Sequence, residues 1–361
     1  MSRATWMIFG AAGSTGTLIA EEAIRLGHQP LLAGRSAEKL ASLGKRLGLP
    51  WISVGLDEPA RLQRAVSEAG AVLNAAGPFA VTSPPLVLAC LAAGTHYLDI
   101  ANEIPILQQL FTRDEAARER HIALIGGVGF GVVASNSLAA YVADQLPGAA
   151  TLELAVKAEN GQTSPGAAKS ALEALAGGGR VYRNGRIVPF RLGKGMKTLR
   201  FPDGPLDFLP VPSGDLEAAH QATGIPNITS FIPFRRSAAF FLPLVQSGLS
   251  LRPLRGRLEA AIEKRGTRQR ESGPGGQSAS YAWARAMDQK GQHVEAWLEM
   301  GEGYHFTAAS SVRAVERVLR DRLSGALTPA RAFGADFVLD IDGVRRWSAI
   351  PHAHTLQENG R

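Results

Sequence analysis

The sequence predicts an α/β protein with an N-terminal doubly wound parallel sheet, a second α+β domain, and a late helix that returns to the first domain. Three observations predict it. An apolar run opens into glycines at positions 10, 13 and 16, strand and helix patterns alternate through the first third, and after about Ala150 that alternation gives way to hairpins and separate helices.

Residues 4–9 are apolar enough for a buried central strand, and residues 17–26 place Leu18, Ile19, Ala23 and Leu26 on one helical face. Between them stands Gly10-Ala11-Ala12-Gly13-Ser14-Thr15-Gly16, the place and form of a nucleotide-binding turn. Gly10 lets the chain leave the strand sharply, Gly13 lets backbone approach a pyrophosphate, and Gly16 lets the helix pack on the sheet. A phosphate would rest on the helix N-terminus, with Ala12, Ser14 and Thr15 around it.

Residues 29–33 form the second strand, which ends in Gly34-Arg35-Ser36, with Lys39 one helical turn on. An NAD-specific site would offer a carboxylate there; Arg35, Ser36 and Lys39 instead suit a 2′-phosphate, so the expected cofactor is NADP(H). Strands at 51–55, 71–75, 97–100 and 123–126 alternate with helices at 59–69, 84–93 and 104–119. That succession is a Rossmann-type sheet, whose ligand crevice lies at the carboxyl ends of the strands. Asn74, Ala75, Ala76, Gly77, Pro78 and Phe79 follow the fourth strand, where the chain passes the nicotinamide ribose; small residues allow close approach and Pro78-Phe79 can wall the ring.

Beyond the first domain, residues 149–158 alternate as a strand, 166–176 read as a helix, and 181–188 fold as a hairpin about Asn184-Gly185. Residues 278–300 contain two strands around Gln289-Lys290-Gly291, 266–277 read as a loop, and 308–323 as an amphipathic helix ahead of a last short strand at 337–341. The expected division is residues 1–148 for the nucleotide domain, 149–304 for the α+β domain, 305–345 for the returning helix and strand, and 346–361 for a tail.

Composition narrows the class. Hydrophobic residues at 45% and charged residues at 20% describe an ordinary globular chain, and the single cysteine, Cys90, excludes a disulfide framework or a cysteine-based metal site. No metal is expected. The start lacks a signal-peptide pattern and no window is apolar enough to span a membrane, so the expected location is cytoplasmic. The net charge of +7 is densest at residues 252–270, where Glu259 and Glu263 interrupt it and no aromatic residue is interleaved; no nucleic-acid partner is expected. The stretch 240–257 is read as core or dimer face, with an acyl channel or a membrane-touching surface as the alternative.

With these elements placed, the chain resembles the saccharopine dehydrogenase-like oxidoreductases, a family that includes trans-acting enoyl reductases. The likeness lies in the glycine turn and Ala33-Gly34-Arg35, in residues 72–79, in Gly94-Thr95-His96-Tyr97-Leu98-Asp99 and in Gly129-Phe130-Gly131-Val132-Val133. It continues through Gly214-Asp215, residues 223–227, Gly301-Glu302-Gly303-Tyr304 and Leu327-Thr328-Pro329-Ala330. The resemblance implies a Rossmann domain, an inserted substrate domain, NADP(H), and a homodimer built through the second domain. The resemblance implies a carboxylate where this chain has Asn136, and Gly-Glu where it has Asn102-Glu103, and the chain departs from it at both places.

His96, Tyr97, Asp99 and Glu103 surround the fifth strand and are the candidate catalytic residues. His96 or Tyr97 would supply a proton, and Asp99 and Glu103 would orient substrate or set a neighbour's pKa. Asp215, His220 and Asn227 read as residues that cap or decorate a surface helix, with reach to the cleft as the alternative. No Tyr-x-x-x-Lys relay, G-x-S-x-G elbow or His-Glu-x-x-His helix is present. The leading expectation is an NADPH-dependent oxidoreductase moving hydride to or from a polarised C=N or C=C bond held between the domains. The alternatives are a trans-acting enoyl reductase on a thioester borne by CoA or an acidic carrier protein, and a non-catalytic NADP-binding sensor or scaffold.

Overall fold

The computed structural model describes residues 6–158, 177–239 and 279–349. The expectations for 166–176, 240–257 and 266–277, and for most of 346–361, lie outside the described residues. The chain divides into two compact units, one of residues 1–133 and 303–342, the other of residues 134–302 and 343–361.

The first unit is a seven-stranded sheet in the order β15-β6-β5-β4-β1-β2-β3. The strands are β1 (Met7–Phe9), β2 (Leu31–Gly34), β3 (Trp51–Ser53), β4 (Ala71–Asn74), β5 (His96–Asp99), β6 (Ala123–Ile125) and β15 (Gly325–Leu327). All pairings are parallel. Every residue of β1, β2, β4 and β6 is buried, which is why these strands read as unbroken apolar runs. Strand order reverses beside β1, with β2 on one side and β4 on the other, and this is the switch point where such sheets bind ligands.

Helices α1 (Ser14–Arg25), α2 (Ala37–Leu47), α3 (Pro59–Ser67), α4 (Phe79–Ala93), α5 (Ile104–Phe111) and α6 (Asp114–Glu119) connect the strands. Several differ from their expected bounds. The helix expected over 104–119 is two, parted at Thr112, whose Oγ1 donates to Gln109 O at 2.8 Å in place of a continuing turn. Helix α4 starts at Phe79 rather than at Pro84, so Pro84 and Pro85 lie inside it. Proline removes the amide that would bind the carbonyl four residues back. The carbonyls so freed belong to Ala80 and Val81, both exposed, where water can replace the bond. The earlier start brings Thr82 and Ser83, both buried, into the helix.

The returning helix, Gly303–Arg320, packs on α1. Ser310 Oγ donates to Val128 O at 2.7 Å, and His28 Nε2 meets Glu316 Oε1 at 2.8 Å. The short strand is β15, which pairs with β6; residues Phe337–Asp340, expected as that strand, form a single 3-10 turn instead. Phe337 and Val338 are both buried there, and a three-residue turn buries adjacent side chains that a strand would send to opposite faces.

Helix α7 (Phe130–Gln145) runs from the first unit into the second. Its residues from Val132 to Ala139 are all buried, polar ones included, so it shows no helical stripe in the sequence. The second unit holds a nine-stranded mixed sheet whose main path is β10 (Lys197–Phe201), β11 (Gly204–Pro210), β12 (Asn227–Pro233), β7 (Thr151–Lys157), β13 (Ser280–Met287), β14 (His293–Met300) and β16 (Arg345–Trp347). The pair β8 (Gly179–Arg183) and β9 (Arg186–Phe190) branches from β12. Its turn is Asn184-Gly185 with φ of 51° and 73°, the left-handed geometry that the Asn-Gly pair predicts.

Candidate functional site

Parallel register draws one row across the first sheet at its carboxyl edge. Phe9 pairs with Ala33 on one side and Asn74 on the other, and Asn74 pairs with Asp99. The glycine turn, Arg35, the 74–79 loop and the chain after Asp99 all leave the sheet from this row.

The turn is fastened to β2, with the Gly10 and Ala11 amides donating to Ala33 O at 2.8 and 3.2 Å. Gly10 has a φ of 86°, and a side chain there would meet Ala76 Cβ at 2.7 Å. A Cβ on Gly16 would lie 2.3 Å from Gly10 O, so the helix can approach the turn only with glycine at that position. Gly13 and Ser14 are exposed, Ala12 and Thr15 half-buried. Helix α1 begins after Gly13 with no side-chain cap and no acidic residue in its first turn. Its N-terminal dipole therefore meets no negative charge of the chain's own, as a pyrophosphate site requires.

Arg35, Ser36 and Lys39 are exposed where β2 ends. Ser53 Oγ holds the Arg35 carbonyl at 3.0 Å, while Ser36 Oγ caps α2 by accepting the Lys39 amide at 3.4 Å. Among the described residues no carboxylate pairs with the Arg35 or Lys39 side chain. The residues present fit an NADP-type dinucleotide: a glycine turn open at Gly13, a bare helix N-terminus, and two uncommitted cations at the second strand.

The 74–79 loop is held from inside. Asn74 is fully buried; its Oδ1 accepts the Ala76 amide at 3.0 Å and its Nδ2 donates to Thr82 Oγ1 and Tyr97 OH, each at 3.1 Å. Thr82 Oγ1 donates to Ala76 O at 2.6 Å, and the Ala75 amide donates to Phe9 O at 2.9 Å. Gly77 and Pro78, joined by a cis peptide, are exposed and Phe79 is half-buried. Thr82 and Ser83 carry no sequence signal for this role, since the pattern starts the helix after them.

Of the four catalytic candidates Tyr97, Asp99 and Glu103 lie together, and His96 stands apart. His96 is the first residue of β5, level with Ala71, whereas the glycine turn leaves level with Asn74 and Asp99. At about 3.3 Å per residue, three residues of strand put it roughly 10 Å away at the opposite edge. Its Nδ1 accepts the Ala123 amide at 2.9 Å, and burial lowers its pKa. Tyr97 is wholly buried, with its hydroxyl 2.8 Å from Ser83 Oγ and 2.9 Å from Asp99 Oδ2. Burial, and then the Asp99 carboxylate, push its ionisation well above the ordinary phenol range.

Asp99 is wholly buried as well. Burial raises its pKa to about 6 against the backbone amides of Gly127 and Ala101, which donate to Oδ1 at 3.1 Å each. Glu103 alone is partly exposed and at the carboxyl edge; one Oε2 accepts the Asn102 amide at 2.9 Å.

In the second unit, Asp215 is buried, with Ser135 and Ser213 hydroxyls donating to it at 2.6 Å each. His220 stacks on Tyr182 at 4.3 Å, and Asn227 Nδ2 donates to Ala150 O at 2.8 Å. These are internal fastenings rather than surface decoration. Asn136 is wholly buried and donates to Ala218 O at 3.0 Å.

Fold and site together define a dinucleotide-binding protein of the Rossmann class. Residues 6–144 match the family model described as Saccharopine dehydrogenase NADP binding domain. The chain is similar to the saccharopine dehydrogenase-like oxidoreductase of Bos taurus, 32% identical over 165 residues, covering 40% of this chain and 38% of that protein. It is also similar to a trans-acting enoyl reductase of Mycobacterium bovis, 35% identical over 105 residues, 27% of this chain and 25% of that one. These curated relatives are thus matched over well under half of their length. Among solved structures, the apo saccharopine dehydrogenase (L-Glu forming) of Saccharomyces cerevisiae shares the fold at a TM-score of 0.65 and 12% identity, covering 96% of this chain and 99% of that one. Among the described residues no helix is long and apolar enough to cross a membrane.

Proposed function

We infer that the protein is an NADPH-dependent oxidoreductase that transfers hydride between NADP(H) and a polarised C=N or C=C bond. One observation carries the reading: the uncapped, acid-free N-terminus of α1 opens at the switch point beside β2, where Arg35 and Lys39 have no carboxylate partner among the described residues. Gly10, Ala12, Gly13, Ser14, Thr15 and Gly16 would hold the pyrophosphate; Arg35, Ser36 and Lys39 the 2′-phosphate; and Asn74 to Phe79 the nicotinamide ribose. The bound cofactor supplies the hydride. The chain's own residues position the ring and exclude water, and of the four candidates Glu103 has the exposure and the edge position to deliver or accept the proton.

The preferred substrate is an imine of the saccharopine type. A second reading is an enoyl thioester on CoA or an acidic carrier, favoured by the likeness to a trans-acting enoyl reductase and by the net charge of +7. We place the protein in the cytoplasm as a homodimer, which light scattering would check.

The test is fluorescence titration with NADPH and NADH, on wild type and Arg35→Ala. Loss of a charge-assisted bidentate contact of about 2 kcal/mol predicts roughly thirtyfold weaker NADPH binding and little change for NADH. Oxidation of NADPH with a keto acid plus amine then supports the imine reading. Turnover only with an unsaturated thioester, weakening with salt, supports the carrier reading, and binding without turnover of either marks a sensor. If neither nucleotide binds, the enzyme readings fail together.

A further inference from the structure

We propose that Tyr97 and Asp99 are positioning residues which, by holding the Asn74 amide, set the 74–79 loop against the glycine turn and thereby decide affinity for the nicotinamide half of the dinucleotide. The proposal rests on the cofactor reading above and assigns to these side chains a role that involves no contact with substrate.

The bonds run in one direction only. Ionised Asp99 is solely an acceptor, so the single Tyr97 hydroxyl proton points to Asp99 Oδ2 at 2.9 Å, and the phenol oxygen accepts from Ser83 at 2.8 Å and from Asn74 Nδ2 at 3.1 Å. With its Nδ2 committed to Tyr97 and Thr82, Asn74 presents Oδ1 to the Ala76 amide at 3.0 Å. A flipped Asn74 would set its NH2 against that N–H. Thr82, which accepts from Asn74, in turn donates to Ala76 O at 2.6 Å, so both polar groups of the Ala76 peptide links are fastened to this network.

Ala76 is also the residue a Gly10 side chain would strike, at 2.7 Å, so loop and turn sit in van der Waals contact. A displaced loop changes the surface offered to the nicotinamide half. The other oxygen of Asp99 takes the amides of Ala101 and Gly127 at 3.1 Å, so one carboxylate fastens the chain leaving β4, β5 and β6 together. Asn74, Thr82, Ser83, Tyr97 and Asp99 are all buried, and water cannot replace a missing partner cheaply.

A merely stabilising network and a positioning one differ in what they do to different ligands. The experiment measures Kd for NADPH and for adenosine 2′,5′-bisphosphate, which lacks the nicotinamide half, on wild type, Tyr97→Phe, Thr82→Val and Ser83→Ala. We expect Tyr97→Phe and Thr82→Val to weaken NADPH about tenfold and to leave the bisphosphate within twofold. Ser83→Ala, which leaves Asn74 held, should lower Tm without changing the ratio of the two affinities. Thr82→Val is nearly isosteric and supplies the same readout if Tyr97→Phe fails to fold. Equal losses for both ligands, or no loss for either, in a wild type that binds both overturn the proposal while sparing the cofactor reading. A wild type that binds neither overturns both.

Discussion

At the residue scale, Gly16 and Asp99 make the most constrained demands. A Cβ at Gly16 would lie 2.3 Å from a backbone oxygen that cannot swing away, so Gly16→Ala must push α1 off the turn. Overpacking of that kind costs about 1–3 kcal/mol. We expect a Tm several degrees lower together with loss of NADPH binding, and an unchanged melting curve would contradict the packing described. Asp99 makes a pH prediction. Its folded pKa of about 6 lies above the ordinary 3.8, so between those values the unfolded chain releases a proton that the folded chain keeps. Stability from this group is therefore greatest below pH 4, falls as pH rises to 6, and is lost above it, by about 3 kcal/mol at most. The charges and titratable groups facing it are Tyr97 and Glu103, and Glu103 acts in the same upward direction. Asp99→Asn, which can still accept both amides but turns its NH2 toward the Tyr97 hydroxyl, should flatten the dependence of Tm on pH between 4 and 6 while lowering Tm at every pH. A variant with the wild-type slope would assign that slope to other carboxylates.

At the element scale, two of the helices that begin at the carboxyl edge have opposite starts. Helix α2 has Ser36 as its cap and Glu38 in its first turn, whereas α1 has neither a side-chain cap nor an acid. An isolated helix would be more stable with those groups, so their absence at α1 suits an anionic ligand. Ser14→Asp should add about 0.5 kcal/mol to the helix through its dipole while repelling a pyrophosphate. We expect Tm to hold or rise and NADPH affinity to fall at least tenfold, read by melting and titration on one preparation. A fall in both would mean that Ser14 has a structural duty instead. The sequence made α1, β1 and β2 legible because a buried parallel strand and an amphipathic helix have different periods. It hid the true start of α4, since Pro84 is a stronger local helix-start signal than Phe79, and only the exposed Ala80 and Val81 carbonyls make interior prolines tolerable.

At the scale of the whole molecule, a ligand that binds only the folded state stabilises it by mass action, about 2.7 kcal/mol at one hundred times Kd. NADPH at that level should raise the unfolding temperature of wild type by several degrees and leave Gly16→Ala unmoved; an equal shift in both would place the nucleotide elsewhere. What the sequence by itself determined is local in origin: the glycine turn, the strand and helix alternation, the Asn184-Gly185 hairpin, and basic rather than acidic residues after β2. Each depends on neighbours a few positions apart, so period, propensity and charge are enough to read it. The tertiary structure alone decided the rest. It put His96 at the far edge of the sheet, enclosed Tyr97 and Asp99, recruited Thr82 and Ser83 from a neighbouring helix, and added β15 beside β6. Those outcomes depend on register between strands and on which face of a helix meets the sheet, and pairings between residues far apart in the chain leave no period in the sequence to read.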